Sequence, residues 1–85
     1  GKVGNLNEIK DTTHHIDWYY RYNESGQLST AIGCYYGGRL PEVACQHRFY
    51  RDGAMYTFDH SMALLSQSDA MEEKLFVLFE SFKEK

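Results

Sequence analysis

The sequence predicts an α+β domain: a four-stranded antiparallel meander with one C-terminal helix packed across one face (ββββα). Three observations carry that prediction. Alternating apolar and polar residues recur in four runs between Ile16 and His60, the period-two pattern of strands. Between runs stand "NESG" and "DG", turn-forming stretches of the kind that close hairpins. After Ser61 the period lengthens: Leu75, Leu78, Phe79 and Phe82 fall at i, i+3, i+4 and i+7, one stripe of a helix.

Eighty-five residues have room for one modest core and no second. Residues 1–13 are polar and without a sustained period, so they are expected to form a flexible N-terminal arm. Residues 14–85 are expected to form the single domain. In the first strand Ile16, Trp18, Tyr20 and Tyr22 oppose Asp17, Tyr19 and Arg21. In the second, Leu28, Thr30, Ile32 and Cys34 alternate with Ser29, Ala31, Gly33 and Tyr35. A type I turn through Glu24 and Ser25, with Gly26 left-handed, pairs Tyr22 with Leu28, Tyr20 with Thr30, Trp18 with Ile32 and Ile16 with Cys34. Every apolar residue then shares one face.

"GGRLPE" reads as a loop, because Pro41 has no donor for a central ladder. In the third strand Val43, Cys45, His47 and Phe49 oppose Ala44, Gln46, Arg48 and Tyr50. Asp52-Gly53 suits a type I′ turn, which sets Tyr56 and Phe58 of the fourth strand beside Phe49 and His47. "MALLSQ" is a short helical turn or a connector, with Leu64 and Leu65 plugging the sheet edge. Ser68 or Asp69 caps the helix, with Asp69 and Glu72 at the spacing of a capping-box variant. Glu72, Glu73 and Lys83 are placed on its outer side.

Five of the seven tyrosines and the one tryptophan lie between residues 14 and 36, and this register divides them. Trp18, Tyr20, Tyr22, Ile32, Phe49, Tyr56 and Phe58 are expected in the core. Tyr19, Arg21, Tyr35, Gln46, Arg48 and Tyr50, with Met55, are expected on the face that the helix leaves open. Tyr and Arg are enriched where proteins bind proteins, so Tyr19, Arg21, Tyr35, Gln46, Arg48 and Tyr50 are the candidate binding residues.

Chemistry-bearing motifs are missing. No GxSxG, HExxH, P-loop or dinucleotide fingerprint occurs, and "GCYYGG" joins strand to strand without a helix N-terminus for phosphate. No catalytic residue and no cofactor are expected. The pairing sets Cys34 opposite Cys45, and Cys45 opposite His60. That row could form a disulfide, hold zinc with His14 or His15 as fourth ligand, or pack as small apolar groups, the expected outcome for free cysteine. His14 and His15, neighbours on a strand, would point to opposite faces and are expected to be solvated. Asp17, Glu42 and Asp59 make no obvious carboxylate pair.

The expected function is therefore a small non-enzymatic protein-binding module, an inhibitor or regulator of a larger macromolecule. Its partner would be another protein or a second copy of the chain. Small size and sparse motifs also suit phage or mobile-element proteins. The alternative is a single-stranded nucleic-acid-binding domain. A curved ββββα sheet resembles, in topology, PUR repeats and Whirly-type domains, whose sheets contact single strands. That resemblance implies base stacking on Tyr19, Tyr35 and Tyr50 with Arg21 and Arg48 on phosphates. Against it stand 9 basic and 12 acidic residues, a net charge of −3, a poor balance for phosphate binding. No apolar run approaches the ~20 residues of a membrane span, and a cytoplasmic location is expected. The triplet Asn23-Glu24-Ser25 fits the glycosylation pattern that marks the secreted alternative.

Overall fold

A computed structural model describes residues 1–36 and 44–83. The elements are β1 (Lys2–Val3), β2 (Leu6–Asp11), β3 (Ile16–Tyr22), β4 (Leu28–Tyr35), β5 (Ala44–Arg51) and β6 (Ala54–Ser61). A 3-10 helix (Met62–Gln67) and helix α1 (Ser68–Lys83) follow. The strands pair in sequence order as one six-stranded antiparallel meander. The four-strand expectation is thus corrected. The loop assigned to "GGRLPE", with Pro41, Glu42 and Val43, lies outside the described residues.

The two additional strands come from the segment expected to be an arm. A two-residue turn with Gly4 at φ 60° pairs Val3 with Leu6, and β2 then pairs along β3 from Asn7↔Tyr20 to Asp11↔Ile16. β2 shows little alternation because one side chain, Leu6, is fully buried on it; Glu8 and Lys10 share that face. A strand near a sheet edge needs few apolar residues to pair, so the hydrophobic pattern does not reveal it. The β2–β3 turn is held by Asp11, which accepts the backbone N–H groups of Thr13 and His14, both at 3.1 Å. His14 Nδ1 lies 2.8 Å from the same carboxylate, and this contact first of all holds the Asp11 carboxyl below its ordinary value.

The larger correction is the face of β3. The Asn23–Gln27 turn forms as expected: Gly26 N–H donates to the Asn23 carbonyl at 3.0 Å, Gly26 has φ 80°, and Tyr22 pairs with Leu28. One step on, Arg21 pairs with Thr30, because Ser29 is an extra, bulged residue. A bulge sets two residues against one and bends the strand locally. The Ser29 hydroxyl donates to the Arg21 carbonyl at 3.0 Å. Beyond the bulge Tyr20 meets Ala31, Tyr19 meets Ile32, Trp18 meets Gly33 and Ile16 meets Tyr35. A one-residue slip turns every side chain over. Tyr19 and Arg21 therefore face the helix, while Trp18, Tyr20 and Tyr22 leave the expected core for the open face.

From β4 onward the expected register stands. Cys34 pairs with Cys45. Cys45 pairs with His60, and Phe49 with Tyr56, through a turn with positive φ at both Asp52 and Gly53. The core is Leu6, Tyr19, Ile32, Cys34, Cys45 and Leu65, with Val3 and Met62 packed on it; Thr30, His47 and Phe49 are also fully buried. Leu65 arrives on the 3-10 helix.

Helix α1 presents a different stripe from the one expected. Phe76 meets Tyr56 edge-on at 6.3 Å, Phe79 stacks on Tyr56 at 5.4 Å, and Glu72 points at the sheet. The stripe facing the sheet is thus Glu72, Phe76 and Phe79. Arg51 lies 3.9 Å over the Phe76 ring and pairs with Glu73 at 2.6 Å. Glu72 and Glu73 are corrected from outward-pointing residues to the helix's attachment points, whereas Val77 and Leu78 are exposed.

Candidate binding face

The two faces of the sheet divide the chemistry. On the helix face runs a polar chain, buried at Thr30 and His47 and exposed at Asn5 and Asp69. Arg21 reaches Asp69 at 2.5 Å and Glu72 at 3.0 Å, donates to Asn5 at 2.8 Å, and donates to Thr30 at 3.0 Å. Glu72 accepts the Thr30 hydroxyl at 2.8 Å and lies 2.6 Å from His47 Nε2. His47 Nδ1 is 3.1 Å from His60 Nε2, and His60 Nδ1 is 2.8 Å from the Ser61 carbonyl. That carbonyl can only accept, so the three contacts along His60, His47 and Glu72 require three protons between them. Within this network Arg21, Thr30, His47, His60 and Glu72 each have a partner, the condition under which such a network holds a fold together.

Also on this side is Tyr19, 1% exposed. Burial, then the Glu8 carboxylate beside it, push its pKa up to about 12, with Asp17 adding to the effect. Asp17 Oδ1 is buried without a hydrogen-bond partner among the described residues. Neither Tyr19 nor Arg21, two of the candidate binding residues, is available to a partner: one is core and the other anchors α1.

The open face is built from rows of paired residues. One row runs Ile9, Trp18, Gly33, Gln46 and Asp59; the next runs Asn7, Tyr20, Ala31, Arg48 and Thr57. A third holds Ile16, Tyr35, Ala44 and Ser61. Tyr22 pairs with Leu28 and Tyr50 with Met55 at the ends. Ile9, Trp18, Tyr22, Leu28, Tyr35, Tyr50 and Met55 are each 42–57% exposed. The candidates Tyr35, Gln46, Arg48 and Tyr50 do meet here. Trp18, Tyr20 and Tyr22 join them unforeseen, because a bulge leaves no periodic trace, and Ile9 joins them from β2. The one available signal was Gly33, whose missing side chain accommodates a large opposite ring. A Cβ at Gly33 would come within 2.7 Å of the Trp18 ring.

Small residues at Gly33 and Ala44, surrounded by larger ones, leave a trough of about 340 Å³ lined by Ile16, Trp18, Gly33, Tyr35, Ala44, Cys45, Gln46 and Asp59. Gln46 is engaged through its Oε1 by Arg48 at 3.4 Å.

Cys34 and Cys45 are joined as a disulfide, S–S 1.99 Å, which corrects the expectation of two packed thiols. With both sulfurs bonded to each other, the candidate zinc row of Cys34, Cys45 and His60 has no thiolate to offer. Among the described residues no group of three or more His, Cys, Asp or Glu is placed to hold a metal. His14 and His15 sit on the exposed β2–β3 turn, and no described helix is long and apolar enough to cross a membrane. No protein-family model, curated protein or solved structure matches the chain.

Proposed function

We propose that this domain is a non-enzymatic binding module whose open sheet face docks on a partner protein, acting there as an inhibitor or regulator. The observation that carries the reading is the run of half-exposed apolar and aromatic side chains across one sheet face, from Ile9 and Trp18 on one side to Tyr50 and Met55 on the other. Scattered exposed apolar residues are ordinary, but a contiguous apolar patch marks an interaction surface. Trp, Tyr and Arg are the residue types that dominate such surfaces.

The charge on the face favours a protein over a single-stranded nucleic acid. Arg21 is tied to Asp69 and Glu72, which leaves Lys2 and Arg48 as the cations in the described rows of this face, both in the row of Asn7 and Thr57, with Asp59 in the row beside it. Backbone tracking along a nucleic acid calls for several cations. The disulfide bears on location: such bridges persist in oxidising compartments and are rare in the cytosol, which weakens the cytoplasmic reading.

Affinity capture from the native source tests the proposal, with the wild-type chain beside a Trp18→Ser, Tyr35→Ser, Tyr50→Ser variant that circular dichroism shows to be folded at the assay temperature. Specific capture by the wild type and its loss in the variant support the reading. Equal capture by both, or micromolar binding of a single-stranded oligonucleotide at low salt, would count against it.

A further inference from the structure

Building on the reading of the open sheet face as a protein-binding surface, we propose that the trough floored by Gly33 and Ala44 receives a basic side chain, arginine or lysine, of the partner protein. It has room for one long side chain: its volume is about 340 Å³, where about 10–15 Å³ on the same measure already holds a water. Its walls are ring and aliphatic surface from Trp18, Tyr35 and Ile16, against which the methylene stem of a basic side chain packs while its head stays polar. A guanidinium or ammonium is further attracted to the faces of Trp and Tyr rings.

The charge at the trough's β6 end selects the sign. Asp59 is the one charged residue among those lining it, and no described side chain forms an ion pair or hydrogen bond with its carboxylate. The nearest cation in the rows, Arg48, belongs to the neighbouring row and reaches toward Gln46. An apolar side chain would desolvate the Asp59 carboxylate without compensation, and an acidic one would be repelled. A cation answers both the rings and the carboxylate.

Trp18 is the chain's one tryptophan, so its emission reports occupancy directly. The wild-type protein is titrated with Nα-acetyl-arginine amide and with the citrulline analogue, a neutral isostere. The arginine compound should saturate the Trp18 signal at least about tenfold more tightly. Asp59→Asn should erase that preference without moving the melting temperature. Equal binding of the two probes, persistence of the preference in Asp59→Asn, or an unresponsive Trp18 would overturn the proposal. Capture of the native partner separates the two readings. Unchanged capture by Asp59→Asn, with loss in the Trp18, Tyr35, Tyr50 variant, sinks this proposal alone. Unchanged capture by both variants takes the binding face down with it.

Discussion

His47 Nε2 lies 2.6 Å from Glu72 Oε2, and this contact ties the centre of the sheet to the first turns of α1. His47 is fully buried and the Glu72 side chain is 13% exposed. The same carboxylate accepts from Thr30 and pairs with Arg21, so one helix residue holds three strands.

Removing that acceptor should be costly. Glu72→Ala leaves His47 and Thr30 buried without it and strips Arg21 of a counter-charge. The expected loss is about 3–5 kcal/mol, the range for breaking a buried ion pair from one side. Lys74→Ala, at an exposed position of the same helix, should stay within about 0.5 kcal/mol. Thermal and denaturant melts decide; similar small losses in both would mean that the polar chain does not hold the helix.

The bulge at Ser29 makes the opposite demand on two adjacent rings. Tyr19→Ala should cost about 3–5 kcal/mol, as emptying a buried aromatic site does. Trp18→Ser, at a residue 43% exposed, should cost only about 1 kcal/mol. The reverse order would restore the unbulged register and return Trp18 to the core.

How much of this was legible in the sequence differs by element. β4, β5 and β6, the Asp52-Gly53 turn and the span of α1 could be read because their side chains alternate or recur on one regular period. The pairing of Cys34 with Cys45 followed from the same regularity. β3 was inverted by one residue, Ser29, whose insertion changes no composition and no turn residue. β2 went unseen because Leu6 alone serves the core there. The stripe of α1 was misjudged for a physical reason too: an apolar-in rule cannot place Glu72 when its buried partners, Arg21, Thr30 and His47, lie on three other strands. Of the candidate residues, Tyr35, Gln46, Arg48 and Tyr50 could be assigned to the open face because they lie beyond the bulge.

Alkaline pH offers a separate check on Tyr19. In the native protein its pKa is raised from 10.0 to about 12, so the folded state keeps a proton that the unfolded chain releases. Stability from this group is fully present below pH 10 and is lost as pH rises toward 12, at up to about 1.4 kcal/mol per pH unit. Tyrosinate absorbance of the native protein should contain a late phase from Tyr19 that is lost in Tyr19→Phe. Absence of a late phase in the wild type would place Tyr19 in water.

The disulfide gives a fourth handle. Reduction under denaturing conditions should add two hydrogens to the mass, and no thiol should titrate beforehand. Replacing both Cys34 and Cys45 by Ala opens a loop with a sequence separation of 11, at an expected loss of about 3 kcal/mol. Two titratable thiols in protein purified without reductant would refute the bridge.

The most direct test of the binding face is the solvent access of Trp18, measured by acrylamide quenching at concentrations where sedimentation shows a monomer. In the free protein Trp18 should emit at the wavelength of a hydrated indole and be readily quenched, and the captured partner should shift its emission to the blue and shield it. Blue-shifted, quencher-resistant emission from the free monomer would put Trp18 in the core, and the open face as drawn here would not exist.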